Sequence, residues 1–199
     1  MGNYEPQYTD DEIVSYVPDH KDVSDGIRRI ATSNISLLRS MECIDNLDLE
    51  PIIVKIMDKV EGKGWELSYT QLIEAEYRKF LLLMLKYPNE AIVPPQQVDE
   101  FWHYHILDTM KYEKDCKDIF GYFVHHFPYF GMRGKDDENN LKTAWNRTCE
   151  LYIDSFGEPT EYIKKHIWTS AGRCPNCGRR SPEANVKFAY DARPTISAC

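Results

Sequence analysis

The twenty residues from Ser68 to Tyr87, SYTQLIEAEYRKFLLLMLKY, restrict the fold of this chain more than any other stretch. Leu72, Ile73, Phe80, Leu83 and Met84 recur at helical spacing. Ser68 followed by Gln71 has the spacing of a capping box, and Pro88 supplies a stop. The apolar residues crowd into the C-terminal half. A helix lying on the surface would not carry them there, so the pattern predicts a central core helix.

The remaining elements read in the same way. Ser24 is positioned to cap a helix to about Met41, with Ile27, Ile30, Ala31, Leu37 and Leu38 inward. Leu49 to Val60 reads as a short helix burying Ile52, Ile53, Ile56, Met57 and Val60, stopped by Gly62 and Gly64. Pro94 and Pro95 open a helix from Gln96 to Leu107. Asp108 is placed to cap the next, from Thr109 to Phe120, which Gly121 stops. Residues 122–134 read as loop. A helix from Asn139 to Phe156 turns Leu141, Trp145, Thr148, Tyr152 and Phe156 to one side, and a last one runs from Thr160 to Trp168. Strand-like alternation is scarce. The fold class expected is mainly α: a loosely ordered segment 1–20, a compact helical domain 21–168, and a short irregular Cys-containing C-terminal tail 169–199.

Composition narrows the partners. A net charge of −8 opposes nucleic acid as the main partner, because phosphate binding needs concentrated Lys and Arg. The longest apolar run, Phe80 to Leu85, is far shorter than the roughly 20 residues needed to cross a bilayer. The polar N-terminus does not read as a secretory signal. Scattered cysteines suit reduced thiols. Hence neither nucleic acid nor membrane is expected as a partner, and a cytoplasmic location is.

The stretch Val98 to Arg133 holds four of the six histidines. On a helix, Asp99 and His103 stand four apart and share a face. His105, two residues beyond His103, points roughly 160° away from it. His125 and His126 follow Gly121 on a segment able to fold back. Asp99, His103 and either His125 or His126 therefore form an economical ligand set for one transition metal, zinc or iron. Cys116 is a further ligand candidate. His105 and Asp108 suit roles orienting ligands through hydrogen bonds. Tyr112 and Arg133 suit positions near substrate, Arg133 as a grip for a carboxylate or phosphate.

Each residue also has a plainer explanation. A histidine among aromatics is often a core residue with a backbone partner. Asp108 is most simply a helix cap, and Asp99 a first-turn acid. Trp102, Tyr104, Phe123, Phe127 and Phe130 are core residues or the wall of a pocket. Two functions follow: a metal-dependent enzyme acting on a small molecule, or a non-catalytic, metal-stabilised module engaging a protein partner. No GxSxG elbow or phosphate loop favours the enzyme.

The composite string from Val98-Asp99 through Trp102-His103-Tyr104-His105, Leu107-Asp108-Thr109, Tyr112, Cys116 and Phe120-Gly121 to His125-His126 and Pro128-Tyr129 resembles the glycine-rich domain-containing protein family. The resemblance implies a mostly helical domain and supplies no reaction.

Cys174-Pro175-Asn176-Cys177-Gly178 reads as half of a structural zinc site, since two thiolates two residues apart can share one ion. The chain has no second such pair. His166, Cys149, Cys199 or a second copy of the knuckle are candidate completers. The alternatives are a redox dithiol or free thiols.

Overall fold

A computed structural model describes residues 35–172. The segment 1–20, the first part of the helix expected from Ser24, Cys174, Cys177 and Cys199 lie outside the described residues. Among those described, the chain is helical without a named strand: α1 (Ile35–Asp45), α2 (Glu50–Met57), α3 (Leu67–Lys86), α4 (Gln96–Leu107), α5 (Thr109–Phe120), α6 (Lys135–Phe156) and α7 (Glu161–His166).

The predicted core helix is α3. Phe80, Leu81, Leu82, Leu83 and Met84 are buried in succession, so its C-terminal half is enclosed on every side. It packs against α1, α2, α4 and α6. Its start departs from the capping-box expectation. Ser68 lies within the first turn, and Glu66 stands at the N-cap with no side-chain cap bond. Buried Trp65 and Tyr69 meet edge-on, ring centres 5.2 Å apart, and their burial sets the helix entry in place of a cap.

Other boundaries moved as well; the last helix, expected to reach Trp168, ends at His166. α1 runs past Met41 to Asp45, burying Met41 and Ile44, while Leu37 and Leu38 are only partly covered. α2 ends at Met57, and Val60 is 90% exposed. The Asp58 carboxylate accepts from the Val60 and Glu61 amides, an alternative to continued helix. α6 begins at Lys135, before the expected Asn139. Asp136, Asp137 and Glu138 favour that first turn through the helix dipole. Asp137 also accepts from the Gly131 and Arg133 amides, tying the preceding loop to the helix.

α4 and α5 have the expected bounds. The Asp108 side chain accepts from the Lys111 amide, and Gly121 adopts the left-handed conformation, φ 78°, that closes α5. After α7 the chain returns to the start of α4. The Gln96 amide donates to the Ser170 carbonyl and the Gly172 amide to the Pro94 carbonyl, around an isolated bridge between Pro95 and Ala171. Among the described residues, no helix is long and apolar enough to cross a membrane.

Candidate metal centre

Helix α4 has two chemically distinct faces. Val98, Phe101 and Trp102 are fully buried against the core. Asp99 and His103 stand a turn apart on another face, as helical geometry requires. Asp99 is 7% exposed, and about half of the His103 side chain is open to solvent.

The second half of the site arrives on the loop after α5. The Tyr112 hydroxyl donates to the Val124 carbonyl over 2.7 Å and accepts from the Trp102 indole N–H over 3.0 Å. Both groups are buried. They hold the backbone two residues before His126, whose ring centre lies 5.0 Å from that of Trp102. His126 Nε2 thereby stands 2.8 Å from His103 Nε2 and 3.3 Å from Asp99 Oδ1. His103 Nε2 is 3.7 Å from Asp99 Oδ2.

These three residues offer ligand atoms that all lie within 4.8 Å of one another, the one such group among the described residues. Donors about 2.0–2.2 Å from a shared ion stand about 3–3.5 Å apart, so the spacing matches a single small cation. Two Nε2 atoms can approach this closely only if they share one proton or both turn lone pairs toward a cation. Burial lowers the His103 pKa below the usual histidine value; the Asp99 carboxylate opposes this and the neighbouring His126 adds to it. His103 is thus favoured in the neutral form that ligates metal.

The other sequence candidates are placed elsewhere. His125, next to His126, is exposed and packs its ring against Phe123 at 4.8 Å. Cys116 is buried beside Tyr112, its thiol pKa raised chiefly by burial, and does not join the three ligands. Arg133 pairs with Asp137 and lies 5.2 Å from the Phe127 ring centre, so its guanidinium is already engaged. Asp108 caps α5. Trp102, Phe127 and Phe130 are buried in the core. A cleft of about 640 Å³ is bordered by Cys43, Leu47, Lys111 and Asp115, and by none of the three ligands.

His105 faces the core. Its Nδ1 is 2.8 Å from the Tyr77 hydroxyl and its Nε2 2.9 Å from Asp115, which also accepts from Lys111 over 2.7 Å. Burial raises the Asp115 carboxyl pKa, but hydrogen bonds from His105 and Lys111 outweigh it, and the net shift is downward. Both ring nitrogens of His105, expected to orient ligands, are instead engaged in a separate hydrogen-bonded group with Tyr77 and Asp115. Tyr77 and Asp115 escaped sequence reading because their link to His105 crosses three helices.

Tyr112→Phe removes the hydroxyl that joins Trp102 to the His126 segment. It is expected to lower stability by about 1–3 kcal/mol, through two buried groups left unsatisfied. Metal affinity should fall about 10–100-fold. Thermal unfolding and metal titration read the two effects; parental affinity would show that His126 is positioned by other contacts.

The family model described as UCP032817-like matches residues 39–164, which is 126 of the chain's 199 residues. This overturns the resemblance to glycine-rich domain-containing proteins: the matching family is a different one, and its match spans nearly all the described helices. No curated protein and no solved structure matches the chain.

Proposed function

We propose that this chain, which belongs to the UCP032817-like family, binds one divalent transition-metal ion through Asp99, His103 and His126. The observation that carries this reading is the convergence of three ligand atoms from two separate segments of chain. Two imidazoles and one carboxylate suit zinc or ferrous iron. Asp99 offsets half the charge of a dication. Trp102 and Tyr112 hold His126, while the open side of His103 leaves coordination positions facing outward. With solvent in such a position, the ion would acidify bound water and polarise a small-molecule ligand.

A second reading is a non-catalytic clasp, in which the ion ties α4 to the loop 122–134 and stabilises a helical surface for a protein partner. The close packing of Gly172 in the returning chain against Asp99 favours it.

Elemental analysis of the purified full chain tests the shared premise. About one zinc or iron per chain is expected, falling at least about tenfold in His103→Ala and in His126→Ala. Trace metal in the parent, persisting after incubation with either ion, would sink the reading.

A further inference from the structure

The cleft of about 640 Å³ is bordered by α1 and α5 and by none of the metal ligands. Its volume is that of a small-molecule pocket, about 300–1,000 Å³. Cys43 on α1, Leu47 just after it, and Met110 and Ile119 on α5 give it apolar walls. Asp115 borders the same cleft, although its side chain is more than nine-tenths buried. Burying a carboxylate is costly unless it is paired and hydrogen-bonded. Both His105 Nε2, at 2.9 Å, and Lys111 Nζ, at 2.7 Å, meet Asp115 at Oδ2. The Tyr77 hydroxyl engages His105 Nδ1 and so turns the Nε2 side of the ring to the carboxylate. Oδ1 is left for a ligand.

Charge selects the kind of ligand. Lys111 and Lys114 are each paired one turn along α5, with Asp115 and Asp118. Asp48 is the remaining charged group on the cleft, so its carboxylates outnumber its ammoniums. The excess favours a cation over an anion.

We propose that this cleft binds a small primary amine in its protonated form, the ammonium donating to Asp115 Oδ1 and the apolar body lying against Leu47, Met110 and Ile119. Asp48 adds attraction at longer range. His105 and Tyr77 are positioning residues, since they touch the carboxylate and not the ligand. The site stands apart from the metal centre and does not depend on the metal reading.

Amide NMR titration of the full chain with hexylamine, hexanol and hexanoate tests this. Hexylammonium should shift the Met110, Lys111 and Ile119 amides with a dissociation constant of about 1 mM or below. It should bind at least about tenfold more tightly than hexanol or hexanoate, and Asp115→Asn should abolish that margin. Should Asp115→Asn fail to fold, Met110→Lys decides, because it places a cation at the cleft on a position that is 85% exposed. Hexylammonium binding should then weaken about threefold, with hexanol unchanged. Equal binding of hexylammonium and hexanol would overturn the proposal, since apolar contact alone would explain both. Tighter binding of hexanoate would overturn it by assigning the cleft to its lysines. Shifts that do not saturate, or hexylammonium affinity unchanged in both variants, would overturn it too.

Discussion

Trp102→Ala is expected to lower the stability of the fold by about 3–5 kcal/mol, the range for truncating a large buried aromatic. The residue is fully buried, with Phe80 on one side, ring centres 5.1 Å apart, and His126 on another at 5.0 Å. Truncation leaves a cavity that the packed helices α3 and α4 cannot close. It also strips a donor from the Tyr112 hydroxyl. His126 then loses both the indole it packs on and part of the hydrogen-bond chain that holds Val124. Urea unfolding should show the lowered midpoint, and metal titration should show weakened binding beyond that of Tyr112→Phe. Parental metal affinity in a folded Trp102→Ala protein would show that the indole does not position His126.

Arg78→Ala is expected to destabilise by a comparable amount, about 3–5 kcal/mol, and to leave the metal centre intact. The guanidinium is buried on α3 and donates to the carbonyls of Ile44, Asp45 and Leu47, where α1 ends and the chain turns toward α2. Glu74 pairs with it one turn back over 2.6 Å. The Ile44 and Asp45 carbonyls belong to the last turn of α1 and the Leu47 carbonyl to the turn beyond it; the Ile44 carbonyl also accepts from the Leu47 amide, and Arg78 supplies side-chain donors to all three. Removing it strips these donors from the Asp45 and Leu47 carbonyls and leaves the Glu74 carboxylate uncompensated. Arg78→Met restores the volume without the donors, so it separates packing from hydrogen bonding. A loss in Arg78→Met nearly as large as in Arg78→Ala would assign the effect to the unsatisfied carbonyls; full recovery would assign it to packing. Because Arg78 touches none of the three ligands, metal content of the folded fraction should match the parent.

The two residues differ in how visible their roles were. Trp102 stood inside the histidine run and read as core or pocket wall. Arg78 drew no notice, because its partners are backbone carbonyls more than thirty positions away, and no side-chain pattern marks a carbonyl that needs a donor. Tyr77 and Asp115 were silent for the same reason: each is unremarkable along its own helix, and only packing joins them through His105. The capping box at Ser68 failed because buried Trp65 and Tyr69 determined where the helix begins. The family resemblance drawn from the histidine run also failed, since a short string of shared residue types outweighed the wider pattern of the helical domain.

What the sequence determined by itself was local. Helical periodicity, proline and glycine located α3, α4 and α5 to within a residue or two, because those signals act over one or two turns. The same 3.6-residue turn brought Asp99 and His103 to one face and sent His105 to another. Only the tertiary structure decided that His126, and not His125, meets them. After Gly121 no helical period sets the direction of a side chain. That direction comes from Tyr112 gripping the Val124 carbonyl and from Trp102 packing on the imidazole, contacts that exist once α4 and α5 have docked.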